Sequence, residues 1–225
     1  MQGLTMDLAA AVDVQGRIVV EGEEKSISPN SVRLYLSPEE FSPAAIWLRG
    51  SPRGSAGGQF LFPKALPLQY PFSAEGIPED AYIADIREGT TSIFDSGLRV
   101  GSKPPDPIEV VISPKAATID GVVQGFDKKG IAYTTVVLVP QVSRRGVATF
   151  YKTAVTDEAG HFMVRGIAPG EYKLFAWEKV PPRAWRDPEF IAPFEELGTP
   201  VQIESAAKVE NVSVGLILKS PASSN

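Results

Sequence analysis

The sequence contains no cysteine and a single histidine in 225 residues. Without thiols, the chain has no disulfide, no thiolate nucleophile and no cysteine-ligated zinc or iron–sulfur centre. The single histidine, His161, could act as a general base only for a nucleophile, and the chain contains no Gly-x-Ser-x-Gly nucleophile motif. It also precedes Phe162, and strand alternation would turn His161 to solvent if Phe162 points inward. The sequence therefore predicts no enzyme activity, no metal site and no cofactor.

Long apolar runs and a surplus of basic residues are also absent. No stretch approaches the roughly 20 apolar residues of a membrane-spanning helix. Lysine and arginine number 22 against 27 aspartate and glutamate, which gives a formal net charge of −5. Because nucleic-acid surfaces need clustered positive charge, we expect neither a nucleic-acid partner nor a membrane span. Adjacent carboxylates such as Glu195-Glu196 would diverge on an extended chain, and we interpret them as solvated loop charges.

The chain is instead rich in glycine and proline, with 20 of each, while 43% of its residues are hydrophobic. This hydrophobic fraction is ordinary for a globular protein and is enough to bury a core. Frequent glycine and proline favour many short strands separated by turns over long helices. The composition therefore predicts an all-β fold, and the length fits one large or two small domains.

An internal repeat favours two domains over one. Phe60, within Gly-Gln-Phe-Leu-Phe, reappears as Phe162 within Gly-His-Phe-Met-Val. Tyr70 and Tyr172 follow these two phenylalanines at the same spacing. Self-similarity of this kind indicates that one structural unit occurs twice. The sequence predicts two domains, which cover residues 1–113 and 114–225.

The second copy contains seven short runs that are typical of strands because they alternate in hydrophobicity or are rich in β-branched residues. The predicted strands are Thr118–Val123, Thr135–Val139, Tyr151–Thr156, His161–Arg165, Tyr172–Trp177, Val201–Glu204 and Val209–Leu218. Asp157–Gly160 is predicted as a hairpin turn and Ala168–Gly170 as a Pro-Gly turn. Seven short strands predict an antiparallel β-sandwich. An aromatic and proline-rich insertion at 180–197 interrupts the strand pattern.

The segment 156–174 carries Thr-Asp-x-x-Gly-x-Phe followed by Gly-Ile-x-Pro-Gly-x-Tyr. This pattern resembles the signature of the carboxypeptidase regulatory-like domain, a transthyretin-like (prealbumin-like) sandwich found in tandem in bacterial exported proteins. The signature residues in this chain are Asp157, Gly160, Phe162, Pro169, Gly170 and Tyr172. The first copy matches less well, because Leu66–Tyr70 lacks the glycine of Pro-Gly-x-Tyr.

The resemblance implies two tandem prealbumin-like sandwiches with about seven strands each. It also implies a non-catalytic structural or interaction module of an exported or cell-surface bacterial protein. Such a module would contact a polysaccharide or a protein domain of the same parent chain. Localisation outside the cytoplasm is implied by the resemblance alone.

A carbohydrate-binding module is the alternative function. Lys173, Phe175 and Trp177 share one face of their strand, and the residues between them share the other. If the intervening residues fill the core, Phe175 and Trp177, joined by Trp185 from the insertion, could form a stacking platform for sugar rings beside Lys173. The competing interpretation is that the insertion 180–197 folds back and covers these rings, because an uncovered aromatic patch favours association.

Overall fold

The computed structural model describes residues 10–22, 27–37 and 58–218. The chain divides into two compact units: unit 1 consists of Met1–Ile77 and Ile83–Ser113, and unit 2 of Pro78–Tyr82 and Pro114–Asn225. The sequence repeat assigns Pro78–Tyr82 to the first copy. Backbone pairing explains the difference, because the N–H of Ala116 donates to the carbonyl of Asp80 at 3.1 Å. The chain is mostly β with several sheets, which confirms the β-rich prediction.

Unit 1 is built on a five-stranded sheet with the order β3-β1-β9-β6-β7, and two short ribbons pair β2 with β5 and β4 with β8. Its strands are β1 (Val12–Val20), β2 (Arg33–Leu36), β3 (Gln59–Ala65), β4 (Gln69–Tyr70), β5 (Phe72–Glu75), β6 (Tyr82–Glu88), β7 (Thr91–Ser92), β8 (Leu98–Arg99) and β9 (Ile108–Ser113). A 3₁₀ turn at Pro29–Ser31 precedes β2.

Unit 2 contains a sheet with the order β12-β11-β14-β16-β10-β13, to which β15 adds by pairing with β14. Its strands are β10 (Ala117–Gln124), β11 (Thr135–Pro140), β12 (Lys152–Val155), β13 (His161–Ile167), β14 (Gly170–Trp177), β15 (Thr199–Ile203) and β16 (Lys208–Ile217). Each of the seven predicted strands is present, with ends that differ by at most two residues.

Short helical segments connect the strands of unit 2. They are the 3₁₀ turns Val142–Arg144, Ala148–Phe150, Ala184–Arg186 and Ala192–Leu197, and the single-turn helix α1 (Pro188–Ile191). The Asp187 side chain caps α1 by accepting a hydrogen bond from the N–H of Glu189. The described residues include no helix that is long and apolar enough to cross a membrane.

The sheets are mixed, and the prediction of purely antiparallel sheets is wrong. β1 pairs with β9, and β10 with β16, in parallel. β14 also runs parallel to β16 where Ala176 and Trp177 meet Leu216 and Ile217. Parallel neighbours are joined by long crossovers, so the turn motifs that identify hairpins carry no information about them.

Both units contain the same close contact between a glycine and a phenylalanine ring, which we call the glycine–phenylalanine joint. Gly16 lies opposite Phe60 in unit 1, and Gly121 lies opposite Phe162 in unit 2. A Cβ atom on Gly16 would lie 2.4 Å from the Phe60 ring, and one on Gly121 would lie 2.7 Å from the Phe162 ring. The same Cβ atoms would lie 2.1 Å from the carbonyl oxygen of Ile108 and 2.3 Å from that of Val212, so the neighbouring parallel strand requires glycine as much as the ring does.

A buried tyrosine also follows the same pattern in both units. The Tyr70 hydroxyl donates to the carbonyl of Leu66 at 3.1 Å, and the Tyr172 hydroxyl donates to that of Ala168 at 2.9 Å. Burial raises the pKa of Tyr172 to about 12, so this hydroxyl remains a donor at physiological pH. The missing glycine in the first copy therefore does not prevent its tyrosine from making the equivalent contact.

Candidate functional site: a sheet face that is capped at one end and open at the other

The first signature turn is formed by local hydrogen bonds. The Asp157 carboxylate accepts from the N–H groups of Ala159 at 2.9 Å and His161 at 2.8 Å. Gly160 has a φ of +86°, a left-handed conformation that glycine adopts without strain. The prediction that this turn closes a hairpin is wrong, because β12 pairs with β11 whereas β13 pairs with β10. The turn instead carries the chain from one part of the sheet to another.

The remaining signature residues also serve the fold. Phe162 and Tyr172 are buried, and Gly170 has a φ of +151°, which few other residues adopt. The carbonyl of Pro169 accepts a hydrogen bond from Arg144 Nη1 at 3.1 Å. These residues therefore shape the fold of unit 2 and contribute little exposed surface. The His161 side chain is exposed, as its alternation with Phe162 predicts.

The outer face of β11, β14 and β15 is ordered in rows, because residues paired across neighbouring strands share a face. Successive rows along this face are Val137 and Phe175; then Val139, Lys173 and Pro200; then Gln141, Glu171 and Gln202. The last row continues the pairing of β11 with β14, since the N–H of Gln141 donates to the carbonyl of Glu171 at 3.0 Å. The face thus changes from apolar to polar along the strands.

The insertion 180–197, which we call the cap, covers the apolar end of this face. Phe175 and Trp177 are both 0% exposed, and their rings stack at 5.2 Å with an interplanar angle of 9°. Phe194 from the cap meets Trp177 edge-on at 5.7 Å. Gly198 lets the backbone pass directly over Phe175, because a Cβ there would lie 2.5 Å from the ring. The cap and the sheet therefore form one aromatic cluster.

This burial corrects the hypothesis of a sugar-stacking platform at Phe175 and Trp177. A fully covered ring presents no face to a ligand. Burial of a large apolar side chain stabilises the fold by about 1.5–3 kcal/mol. Ile191 and Phe194 of the cap are the buried residues that cover the two rings. Trp185 is half-buried against the same cluster. Of the two interpretations, the structure has the one in which the insertion folds back over the rings.

The indole nitrogen of Trp177 is a polar exception within the cluster. Trp177 Nε1 is buried and has no hydrogen-bond partner among the described residues. A buried donor without a partner costs about 1–3 kcal/mol. The cluster tolerates this cost because the indole ring fills more apolar volume than a smaller side chain would.

Glu195 fixes the end of the cap to the sheet through contacts that we call the latch. Its carboxylate lies 2.5 Å from Arg145 Nη1 and 3.4 Å from Lys173 Nζ. Lys173 Nζ also donates to the carbonyl of Glu195 at 2.8 Å. The hydrogen bond from Arg145 is the main reason that the pKa of the Glu195 carboxyl lies below its ordinary value. The interpretation of Glu195 as a solvated loop charge is therefore wrong, because it missed the two cations of the sheet.

Beyond the latch, the same face is uncovered and forms a cleft of about 540 Å³. Besides the three latch residues, its lining includes the exposed polar side chains Gln141, Glu171 and Gln202 and the apolar Val142 and Pro200. The side chains of Gln141, Glu171 and Gln202 have no hydrogen-bond partner within the described parts of the chain. We call this region the open cleft, and its volume lies in the range of small-molecule sites.

Lys173 is the one predicted ligand-binding residue that lines the open cleft, where it is half-buried. Sequence analysis missed Gln141, Glu171 and Gln202. Alternation with Lys173 places Glu171 on the outer face. The two glutamines are brought beside Glu171 only by strand pairing, which no local pattern encodes.

Burial lowers the pKa of Lys152, which is not among the residues that line the open cleft. No group of three or more histidine, aspartate or glutamate side chains suited to a metal occurs in residues 10–22, 27–37 and 58–218. The open cleft offers amides, carboxylates and two cations, which form hydrogen bonds and ion pairs with a ligand.

Neither a family model nor a curated protein matches the chain. Solved structures that are similar include the major pilin subunit of Bacillus cereus, at 20% identity with a TM-score of 0.30 over 45% of this chain and 28% of that one. A candidate carbohydrate-binding protein of Pseudomonas aeruginosa shares 14% identity with a TM-score of 0.31, covering 45% of this chain and 88% of that one. The minor pilin of Streptococcus agalactiae shares 16% identity with a TM-score of 0.34, covering 94% and 99%. At these values the matches assign neither a family nor a ligand.

Proposed function

We propose that the chain is a non-catalytic structural or interaction module of an exported or cell-surface bacterial protein. In this proposal the two units are tandem prealbumin-like sandwiches. The glycine–phenylalanine joint and the buried tyrosine support this arrangement, because both occur in each unit. The location outside the cytoplasm is supported by the resemblance of the Asp157–Tyr172 pattern to exported proteins.

The capped aromatic cluster is the observation that carries this proposal. Phe175 and Trp177 form a stacked aromatic pair on the outer face, and the cap buries both completely. A unit that covers its own apolar face remains monomeric more readily and keeps a fixed shape. Those properties suit a spacer, or a module that contacts another domain of the parent chain through polar surface.

Tryptophan fluorescence tests whether the cluster is closed in solution. Trp47 lies outside the described residues, so the experiment uses a Trp47→Phe, Trp185→Phe chain in which Trp177 is the remaining reporter. We expect blue-shifted emission that acrylamide quenches poorly, because the ring is buried. Red-shifted, readily quenched emission in a chain that still shows cooperative unfolding would contradict the closed cluster and the structural role built on it.

Polysaccharide binding is the second candidate function, and the open cleft favours it. The cleft is lined by Lys173 and by three polar side chains without protein partners among the described residues. Affinity electrophoresis through gels containing single soluble polysaccharides tests this function. Retardation in one gel that is reduced in Lys173→Ala supports it, whereas unretarded migration in every gel leaves the structural role alone.

A further inference from the structure

We propose that the open cleft binds an uncharged oligosaccharide segment through hydrogen bonds to Gln141, Glu171 and Gln202. This inference rests on the second candidate function and names its ligand class and contact residues. The starting observation is the row that these three side chains form across β11, β14 and β15. Cβ atoms of directly paired residues lie about 4.5–5.5 Å apart, so the row presents polar groups at that interval over three strands.

The chemistry of the row matches hydroxyl groups. Each glutamine amide offers both donors and acceptors, and the Glu171 carboxylate offers acceptors only. A sugar hydroxyl donates and accepts at once, so it satisfies either kind of partner. The three side chains are exposed and have no hydrogen-bond partner among the described residues, so a ligand does not need to displace an existing protein contact.

The charge of the open cleft selects against an acidic polymer. Arg145 and Lys173 contribute two positive charges, and Glu171 and Glu195 contribute two negative charges, so the formal charges of the lining cancel. The two cations also already contact the Glu195 carboxylate, at 2.5 Å and 3.4 Å. An incoming carboxylate would have to compete with Glu195 and approach Glu171. An uncharged ligand meets neither obstacle.

Apolar groups flank the row and suit the C–H faces of sugar rings. Val142 is 76% exposed, and Pro200 is exposed on β15. Proline and valine present saturated carbon to a ligand, so they form dispersion contacts with pyranose C–H groups. The cleft therefore combines apolar contact with convergent hydrogen-bonding groups, which is the usual composition of a small-ligand site.

Isothermal titration of the full chain with purified hexasaccharides tests the ligand class. The neutral probes are cellohexaose, laminarihexaose, xylohexaose and mannohexaose, and the acidic probe is hexagalacturonate. We expect saturable binding of a neutral probe with a Kd that changes less than about twofold between about 0.05 and 0.5 M salt, because no net charge is involved. Binding of hexagalacturonate alone, weakened by salt and by Lys173→Gln, would overturn the ligand class and leave polysaccharide binding in place.

Single substitutions test the contact residues. Gln141→Ala and Gln202→Ala should each weaken binding of the neutral probe by about three- to tenfold, because each variant loses one hydrogen bond to the ligand. Gln15→Ala is the matched control, because Gln15 is an exposed strand glutamine of unit 1. Unchanged affinity in both cleft variants would show that the ligand binds elsewhere on the chain, and would leave polysaccharide binding itself in place. If no hexasaccharide binds the parent chain, the second candidate function itself fails.

Discussion

The capped and open ends of the outer face of unit 2 are separated by only two steps of alternation along β14. Phe175 is completely buried, whereas Glu171 on the same side of the same strand is exposed. Both lie on the face of β14 opposite the buried Tyr172 and Leu174, so their difference comes from what covers the sheet. The comparison teaches that strand alternation identifies the side on which a residue lies, while a distant insertion decides whether that side is core or surface.

The largest expected effect comes from removing a ring at the capped end. Trp177→Ala should lower the free energy of unfolding by about 3–5 kcal/mol, because it leaves a cavity within the cap cluster. Urea unfolding followed by circular dichroism measures the change. A loss below about 1 kcal/mol would show that the cap does not pack on Trp177 in solution.

A smaller effect is expected where the backbone passes over the cluster. Gly198→Ala should cost about 1–3 kcal/mol, because the added methyl would lie 2.5 Å from the Phe175 ring and force it to move. Gly215→Ala is the matched control, since a Cβ at that strand position meets no atom within 4 Å. Equal melting temperatures of the two variants would mean that Phe175 is not pressed against this segment.

Neutralising Glu195 of the latch should reduce the free energy of unfolding by less than the ring removal does, and the reduction should depend on pH. Glu195→Gln should reduce stability at neutral pH by about 1–2 kcal/mol, because Arg145 and Lys173 lose a charged acceptor. The folded-state pKa of Glu195 lies below 4.5, so the carboxylate stabilises the fold above that pH. As the pH falls through the lowered pKa, this contribution disappears and the difference between parent and variant should vanish. A difference that stays constant with pH would indicate that ionisation of Glu195 is irrelevant to the cap.

The smallest effect on stability is expected at the open end. Gln202→Ala should change the free energy of unfolding by less than about 0.5 kcal/mol, because the side chain is exposed and has no partner among the described residues. The same urea experiment measures it beside Trp177→Ala. A cost above about 1 kcal/mol would mean that Gln202 supports the sheet, and the contrast between the two ends would be lost.

The strands of unit 2 could be predicted from sequence because their signals are local. The alternation around Phe162 involves neighbouring residues only. The turn at Asp157 and Gly160 likewise depends on hydrogen bonds within a few positions. The mixed sheet order could not be predicted in this way. The pairing of β10 with β16 joins residues such as Gly121 and Val212, and only the fold brings them together.

The candidate site shows the same limit more sharply. Alternation places Phe175, Trp177 and Lys173 on one face of β14, but it leaves open whether the two rings are exposed or covered, and the structure has them covered. Whether the cap reaches them depends on the summed packing of Phe190, Ile191 and Phe194, which alternation does not address. The open cleft was missed because its members come from three strands that are distant in sequence.

The glycine–phenylalanine joint restricts how the sequence can change. A Cβ atom at Gly121 would lie 2.3 Å from the carbonyl oxygen of Val212 as well as 2.7 Å from the Phe162 ring, and one at Gly16 would lie 2.1 Å from the carbonyl oxygen of Ile108. A ring can rotate away or be replaced, but a carbonyl held in a strand pairing cannot move in the same way. Over evolutionary time each half of the chain must therefore keep its glycine for as long as it keeps its parallel strand pairing, even in a lineage that exchanges the phenylalanine.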